Sequence, residues 1–364
     1  MIKVLFVEAN TSILYQKLSV EYSAIEPPTW SLLLAESCRT KGHKVGILDC
    51  NAERLTVDES ITKIEQFNAG IVCFVVYGQN PNSGTTNMAA ATILAEKYKE
   101  ESPNSFTMFI GSHTSAMPRD VLKNSYVDFV SINEGVFTLH DLLKTNKKDH
   151  LDKVRGLGYK KDGLLKFGAP AEIVPQNQLD FELPGYAWDL LPFKNKPLDL
   201  YRSHFWHANY NHEERTPFAA IYTSLGCRFA CDFCMINIVN REDNSDGINS
   251  SDSRKMRYWS PDFITKEFET LANLGVETLR ISDEMFFLDK RYFEPLLNNI
   301  IDRELQLRMW AYSRIDTVRP KYLDLFKRAG IGWLALGVEA GNQAVRREVS
   351  KGSFKDINIR EVAR

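Results

Sequence analysis

Three cysteines stand close together in the second half of the chain, at Cys227, Cys231 and Cys234. Their spacing is C-x3-C-x2-C, and Phe233 directly precedes the third sulfur. Three thiolates from one tight loop can bind three irons of a four-iron cluster and leave the fourth iron without a protein ligand. Because a catalytic metal site keeps an open position and a structural site does not, the spacing predicts a reactive [4Fe–4S] cluster.

Other uses of these cysteines fit less well. A disulfide framework favours an even count and an oxidising compartment. Structural zinc needs four Cys or His ligands, and the histidines upstream, His204, His207 and His212, leave that alternative open. Ferredoxin spacing needs a fourth cysteine close behind, and no cysteine follows Cys234. Inert buried thiols are the remaining alternative.

Composition describes an ordinary globular protein. The chain has 364 residues, 44% hydrophobic and 25% charged, with a net charge of −2. This length predicts two domains, and the charge gives no electrostatic support for nucleic-acid binding. No apolar run approaches a membrane span, and the N-terminus is charged too early for a signal peptide. We therefore expect a cytoplasmic protein whose other cysteines, Cys38, Cys50 and Cys73, serve in packing.

Residues 1–145 alternate apolar strands with helices. The predicted strands are Ile2–Val7, Lys44–Leu48, Ala69–Val76, Phe106–Ile110 and Val127–Ile132. The predicted helices are Thr29–Lys41, Ile61–Phe67, Thr86–Glu100, Arg119–Lys123 and Phe137–Lys144. This order predicts an α/β fold with a doubly wound parallel sheet, in which ligands bind beyond the carboxyl ends of the strands. The loops expected there, after residues 7, 76, 110 and 132, are rich in small and polar residues.

Residues 146–215 differ in character, with clustered lysines and recurring prolines. We predict a linker that wraps from one domain to the next and contains a hairpin with an Asp-Gly turn at 162–163. Trp188, Phe205 and Trp206 are expected to dock it by aromatic burial.

Residues 216–364 return to alternating strands and helices. The predicted strands are Ile221–Ser224, Glu277–Ser282, Gln306–Ala311 and Trp333–Gly337, each followed by a helix except the first, which leads into the cysteine loop. The predicted helices are Pro261–Leu274, Arg291–Arg303, Lys321–Ala329 and Gln343–Val349. The pattern predicts part of a (β/α) barrel with functional residues at the carboxyl ends of its strands.

Charged residues follow three of these strands directly. Asp283 and Glu284 could bind a ligand ammonium group, Arg314 could bind a carboxylate through two hydrogen bonds, and Glu339 could reach further ammonium or hydroxyl groups. A solvated strand end explains any one of them alone. An amino-acid-like ligand that chelates the open iron would use all of them together.

These motifs resemble the radical S-adenosylmethionine (SAM) superfamily. The cysteine loop is similar to its signature, and Ser282-Asp-Glu-Met-Phe, Arg314-Ile-Asp and Gly337-Val-Glu-Ala-Gly resemble its later motifs. The N-terminal half resembles the cobalamin-binding domain of one branch, through Pro27-Pro-Thr-Trp-Ser-Leu-Leu, Gly111-Ser-His-Thr-Ser-Ala-Met-Pro and Asn133-Glu-Gly, and Trp188-Asp-Leu-Leu-Pro also fits that branch. The resemblance covers nearly the whole chain and implies SAM contacts at Phe233, Asp283, Glu284, Arg314 and Glu339.

The resemblance also implies a cobalamin site. The residues assigned to it are Thr11, Tyr77, Gly78, Gln79, Gly111, Ser112, His113, Ser115, Asn133, Glu134 and Gly135. The chain lacks the D-x-H-x-x-G motif that supplies a histidine to cobalt, and His113 is not taken as that ligand. It also has Val136 where the branch commonly has a second glutamate. Four βα units instead of six lead us to expect a C-terminally truncated fragment.

The activity implied is a class B radical SAM methyltransferase. A reduced cluster cleaves SAM, the resulting 5′-deoxyadenosyl radical removes a hydrogen atom, and methylcobalamin donates a methyl group to carbon or phosphorus. A flavodoxin or ferredoxin would supply the electron, and the substrate would be a small molecule or lipid precursor. A cobalamin-dependent cyclisation or rearrangement, and a non-catalytic iron–sulfur electron carrier, remain alternatives.

Overall fold

A computed structural model describes residues 2–15, 21–77, 84–145, 149–208, 211, 213–229, 231, 233–236, 238, 255–349 and 358–362. Its N-terminal half contains five parallel strands in the order β2-β1-β3-β4-β5. They are β1 (Lys3–Glu8), β2 (Lys44–Asp49), β3 (Ile71–Val75), β4 (Thr107–Ile110) and β5 (Phe129–Ser131). This strand order confirms the predicted doubly wound parallel sheet. Apolar strands of this kind need helices on both faces to exclude water.

The helices that cover this sheet follow the predicted order. They are α1 (Thr29–Thr40), α2 (Val57–Phe67), α3 (Gly84–Glu101), α4 (Ser112–Ala116), α5 (Pro118–Leu122) and α6 (Val136–Lys144). Helix α2 begins four residues before its predicted start, because Thr56 and Glu59 form a reciprocal capping box. Helix α4 corrects our expectation of a loop after β4. Cys38, Cys50 and Cys73 are buried in the apolar clusters, as predicted.

The predicted hairpin extends the same sheet. Strands β6 (Leu157–Lys161) and β7 (Leu164–Phe167) add to β5 in antiparallel pairing. Asp162 and Gly163 form the turn at φ 52° and 74°, the left-handed conformation that such a turn requires. The segment predicted as a linker therefore contributes two strands to the N-terminal sheet, although the domain boundaries themselves remain predictions. A short helix α7 (Leu179–Glu182) follows.

The C-terminal half contains a four-stranded parallel sheet in the order β8-β11-β12-β13. Its strands are β8 (Phe218–Ile221), β11 (Thr278–Ile281), β12 (Arg308–Arg314) and β13 (Ile331–Gly337). A separate antiparallel pair comprises β9 (Ser224–Leu225) and β10 (Arg257–Tyr258). The helices are α8 (Pro261–Asn273), α9 (Lys290–Asp302), α10 (Leu323–Arg328), α11 (Gln343–Val349) and α12 (Ile359–Val362).

The first strand of this sheet was predicted wrongly at 221–224. Strand β8 lies at 218–221, and the chain leaves the sheet before Thr223 and Ser224. The apolar run from Phe218 to Ile221 can be buried on both faces, whereas the hydroxyls of the next residues need polar partners, which Asp283 supplies.

Contacts between buried side chains join the two halves. Tyr186 donates from its hydroxyl to the carbonyl of Tyr222 (2.7 Å) at the end of β8 and accepts from the Tyr222 N–H (3.1 Å). Trp188 is buried, as predicted, and its indole N–H donates to Glu267 on α8 (3.0 Å). One apolar cluster contains residues from both sheets and from the segment between them. Phe205 and Trp206 are half-buried.

Among the described residues, no helix is long and apolar enough to cross a membrane.

A buried ion pair at the end of β5 predicts a stability effect. Glu134 pairs with Arg257, both side chains are at most 3% exposed, and Arg257 also donates to the Val174 carbonyl (2.8 Å). Removing one partner leaves the other charge buried without compensation. We expect Glu134→Ala to lower the free energy of unfolding by about 3 kcal/mol in urea denaturation.

The matched control for this pair is the double variant Glu134→Leu with Arg257→Met. It removes both charges and keeps similar volume, so it should be clearly more stable than Glu134→Ala. Equal losses in the two proteins would show that packing, not charge, causes the effect.

The pairing of β1 with β2 predicts how the stability of the protein changes with pH. Glu8 and Asp49 stand opposite each other at the ends of β1 and β2. Burial, and then the Asp49 charge, raise the pKa of Glu8 well above its ordinary value. The folded state therefore retains a proton that the unfolded state has released, so the stability contribution of Glu8 present at low pH is lost as pH rises through the raised pKa.

We therefore expect Glu8→Gln to stabilise the protein more at about pH 8 than at about pH 5, because keeping the Glu8 carboxyl buried costs more free energy as the pH rises. Gln keeps the acceptor for the Asn87 side-chain amide, which donates to Glu8 (2.9 Å). Urea denaturation at both pH values measures the difference, with Glu100→Gln on the exposed face of α3 as the control. A benefit that is the same at both pH values would contradict the assignment.

Candidate functional site

The cysteine loop leaves β9 through Gly226. This glycine has φ 86°, a conformation that other residues adopt only under strain, and it turns the chain directly before Cys227. Cys227 is buried, Cys231 and Cys234 are half-buried, and the Cys234 N–H donates to the Cys231 carbonyl (3.1 Å) in a turn. All three thiols are within electrostatic range of one another. The structure therefore brings the three predicted ligands together on one loop.

The surroundings of these thiols are largely apolar. Cys227 packs with Ile236 and Met285, and burial raises the pKa of both Cys227 and Cys234 to about 12. The protein alone therefore keeps these thiols protonated. Bound iron would reverse this, because a metal cation deprotonates a coordinating thiol.

The thiol set fits an iron–sulfur cluster better than a single metal ion. Within the part of the chain that the structure describes, no three His, Cys, Asp or Glu side chains are grouped closely enough to hold one ion. A cubane differs, because each of its irons binds a single thiolate and the thiolates stand apart. His204 and His207, which left the zinc alternative open, contact Trp206 and Trp310 instead, and His212 lies outside the described residues.

Asp283, at the end of β11, holds the chain that leads to the cysteines. Its Oδ1 accepts from the Thr223 N–H, and its Oδ2 accepts from the hydroxyls of Thr223 and Ser224, all at 2.6 Å. Burial raises its pKa to about 6, against the effect of these hydrogen bonds. Both oxygens are thus engaged inside the protein, which makes Asp283 a positioning residue for the loop.

Glu284 faces the thiols. Its charge acts on both Cys227 and Cys234. Burial raises its pKa to about 7, Arg280 opposes the rise, and Asp283 adds to it. A half-buried carboxyl beside the cluster loop is a suitable acceptor for a ligand ammonium group.

Arg314, at the end of β12, is held on two sides. It forms a two-point ion pair with Asp316, Nε to Oδ1 at 3.0 Å and Nη2 to Oδ2 at 2.8 Å. Its guanidinium also lies 3.9 Å from the ring centroid of Phe229, between the first two cysteines. Sequence reasoning missed the Asp316 partner, although it follows two residues later.

Glu339, after β13, completes the group. Burial raises its pKa, and Arg314 lowers it. Its charge also reaches Cys234. Phe233 is half exposed beside the third cysteine. The ends of β11, β12 and β13 therefore converge on the loop that follows β8 and β9.

A pocket of about 330 Å³ lies where the carboxyl ends of both sheets meet. Thr11 and Tyr77 line it, as two of the predicted cobalamin residues. Tyr77 stacks on Trp30 with ring centroids 4.6 Å apart. Tyr222 and Arg280 form the wall from the C-terminal half.

The other predicted cobalamin residues that the structure describes do not line this pocket. Ser112 and Ser115 are buried in α4, and Ser115 accepts from the Asn133 N–H (2.9 Å). Gly111 has φ 145°, and an added Cβ would come within 2.6 Å of the Val76 backbone. Gly135 has φ 79° at the start of α6. These residues shape the sheet end rather than the pocket wall.

The remaining four predicted cobalamin residues are His113, Glu134, Gly78 and Gln79. His113 contacts the Thr85 hydroxyl (3.2 Å), and burial lowers its pKa. Glu134 is engaged in the ion pair with Arg257. Gly78 and Gln79 lie outside the described residues. The structure thus brings Thr11 and Tyr77 to the pocket and does not bring Gly111, Asn133 or Glu134 there.

Sequence reasoning missed one central residue of the pocket, Arg280. It donates to Glu26 (2.6 Å), and both side chains are buried. The signal was available, because a charged residue stands inside the apolar run Thr278–Ile281. A charge in such a strand requires a buried partner.

Both halves of the chain are similar to known protein families. The family model described as radical SAM superfamily matches residues 221–363, and the model described as B12 binding domain matches residues 16–143. An uncharacterized methyltransferase from Pyrococcus horikoshii is 26% identical over 332 residues, 90% of this chain and 63% of that protein. An anaerobic magnesium-protoporphyrin IX monomethyl ester cyclase from Synechocystis sp. is 23% identical over 344 residues, 93% of this chain and 61% of that protein. The chain spans about three-fifths of their lengths.

Two solved structures share the fold. The cobalamin-dependent SAM radical enzyme OxsB, with aqua-cobalamin bound, has a TM-score of 0.68 at 18% identity, covering 97% of this chain and 46% of that one. The radical SAM methyltransferase TsrM from Kitasatospora setae, with cobalamin and a [4Fe–4S] cluster bound, has a TM-score of 0.69 at 15% identity, covering 100% and 66%. Both family models are matched in order along one chain, so the protein carries a B12-binding domain followed by a radical SAM domain.

Proposed function

We propose that this protein is a radical SAM methyltransferase that uses a [4Fe–4S] cluster and cobalamin to methylate an unactivated carbon or phosphorus centre. The observation that carries the proposal is the convergence of both sheets. The cysteine loop follows β8 and β9, and the pocket is lined by Tyr222 and Ser282, just after β8 and β11, and by the strand ends of the N-terminal sheet. In parallel sheets this edge is where ligands bind.

The cluster would be held by Cys227, Cys231 and Cys234. When bound, it supplies the electron that cleaves SAM, and cobalamin supplies the methyl group. The chain itself holds the start of the loop in place through Asp283 and keeps water from Cys227 by burial. A flavodoxin or ferredoxin is the proposed electron donor.

The amino-acid end of SAM is proposed to lie among the charged strand ends. Glu284 and Glu339 are the acceptors available to its ammonium group, and both carboxyls act on the thiols electrostatically. The Arg314 guanidinium lies over the Phe229 ring, beside the cluster loop, and would attract the carboxylate of SAM. Asp283 supports this group through the loop rather than by direct contact.

Cobalamin is proposed to use the pocket between the sheets. Trp30 and Tyr77 offer a stacked aromatic wall, and Tyr222 lies 6.3 Å from the Trp30 ring between centroids. Polar groups surround this wall, including Thr11, Asn51 and Asn87. The residues present fit a flat, largely apolar ring system that carries amide groups, because such a ligand needs both kinds of surface.

A rearrangement without methyl transfer is the second candidate. It is favoured by the two cyclases among the relatives, which are 23% and 24% identical to this chain. The proposed substrate is a small molecule or a lipid precursor, a class that includes peptides, phosphonates and antibiotic precursors.

The cluster assignment has a direct test. After anaerobic reconstitution with iron, sulfide and hydroxocobalamin, we expect Cys231→Ala to lose SAM cleavage, because one iron loses its ligand. Formation of 5′-deoxyadenosine under dithionite, with iron content alongside, is the measurement. Cys38→Ala, a buried thiol in α1, is the control and should retain both. Cleavage of SAM by Cys231→Ala at the wild-type rate would refute the assignment, and no cleavage by the wild type would favour an electron carrier.

The product pair separates the two enzymatic candidates. Methyl transfer should yield both 5′-deoxyadenosine and S-adenosylhomocysteine, because a second SAM restores the methyl group. A rearrangement should yield 5′-deoxyadenosine alone. We expect both products in near-equal amounts by mass spectrometry after turnover with substrate, and their absence as a pair would transfer support to the cyclase candidate.

A further inference from the structure

Three arginines converge on a second cavity beside the pocket between the sheets. Arg54 follows β2, whereas Arg202 and Arg215 belong to the segment that connects the two sheets. The cavity measures about 350 Å³, and it shares Ile25, Arg54 and Arg202 with the neighbouring pocket. A ligand in the pocket can therefore reach the arginines.

Among the described residues, Arg215 is buried without a carboxylate partner. Its side chain is 2% exposed, and it donates to neutral carbonyls: Nε to Ser203 (2.8 Å), and Nη2 to Tyr22 (3.1 Å) and Ser23 (3.0 Å). Within the described residues no carboxylate lies within 4 Å of its guanidinium, and Nη1 has no hydrogen-bond partner. A buried cation without a counter-charge is costly, so the site favours an added anion.

The acidic residues of the cavity do not fill this role. Asp199 accepts from the backbone N–H groups of residues 194, 195 and 196, at 2.7 to 3.1 Å. Glu53 pairs with Lys63. Arg54 forms no ion pair with any described residue. The carboxylates that line the cavity are thus engaged elsewhere.

The arginines also affect one another. Burial, then the charges of Arg215 and Arg54, lower the pKa of Arg202 to about 10. Arg54 stands at φ 56°, an unfavourable conformation for arginine, where Asn or Gly is preferred. A structural role, in which Arg215 holds backbone carbonyls in place, explains the three hydrogen bonds of Arg215. It does not explain why two further guanidinium groups, one of them at a strained position, line the same cavity.

We propose that Arg54, Arg202 and Arg215 form a binding site for a phosphate or carboxylate group of the ligand that occupies the pocket between the sheets. Guanidinium groups bind such oxyanions through paired, charge-assisted hydrogen bonds. This proposal rests on the proposed function only for the identity of the ligand in the pocket. Binding of the anion itself is a property of these three side chains.

The test uses inorganic phosphate and pyrophosphate as probes. Isothermal titration of the whole chain, without cluster or cobalamin and at constant ionic strength, measures their affinity. We expect Arg54→Asn to weaken pyrophosphate binding roughly tenfold, since a hydrogen bond to a charged group is worth about 1.5 kcal/mol. Asn suits the left-handed conformation at this position, so the backbone should be undisturbed.

Arg319→Asn is the matched control, because Arg319 is an exposed arginine of the C-terminal half, remote from this cavity. It should bind the probes as the wild type does. Arg202→Gln is the second variant and should weaken binding similarly, with thermal melts confirming that each variant folds. The proposal fails if the wild type binds neither probe, or if both cavity variants bind as tightly as the wild type, which would indicate an adventitious ion only.

Two sources of the anion can be separated. Cobinamide lacks the phosphate-bearing nucleotide tail of cobalamin. If Arg54→Asn weakens cobalamin but not cobinamide, the anion is the phosphate of the corrinoid. If it weakens the binding of pyrophosphate alone, the anion belongs to another ligand. Both results support an oxyanion site. Loss of SAM cleavage chemistry in the wild type would contradict the proposed function and leave this titration unaffected.

Discussion

The ion pair between Arg280 and Glu26 is the contact on which the space between the two sheets depends. Arg280 lies in β11 of the C-terminal sheet, and Glu26 lies just before α1 of the N-terminal half. Both are buried, and the Arg280 guanidinium also lies over the rings of Trp310 and Tyr312, at 5.4 and 5.2 Å. Because a buried charge is tolerated only with its partner in place, this pair fixes how β11 faces the segment before α1.

The same arginine links the pair to the cluster loop. Arg280 opposes the rise in the pKa of Glu284, which in turn acts on the thiols of Cys227 and Cys234. Asp283, next in the chain, holds the hydroxyls of Thr223 and Ser224. Residues 280 to 284 thus connect the contact between the two halves, the Glu284 carboxyl and the loop that bears the cysteines.

Buried acids are a feature of both sheet edges. The pKa is raised by burial at Asp49, to about 6, and at Asp283, to about 6, although both accept several hydrogen bonds. Burial also raises the pKa of Glu284, to about 7, and that of Glu8. Glu8 and Asp49 line the pocket that adjoins the arginine-lined cavity, so carboxyls with raised pKa values and guanidinium groups stand in neighbouring spaces.

The sequence by itself determined most of the strands and helices, although not α4 or the position of β8, since apolar runs such as Ile71–Val75 can be buried only inside a sheet covered on both faces. It also determined the cysteine loop, because the three sulfurs are close in the chain. Side chains distant in sequence were decided only by the tertiary structure. The sequence could not indicate that Glu134 would meet Arg257, that Arg280 would meet Glu26, or that three arginines would share a cavity. Local spacing encodes local geometry, whereas the partner of a buried charge depends on which elements pack together once the whole chain has folded.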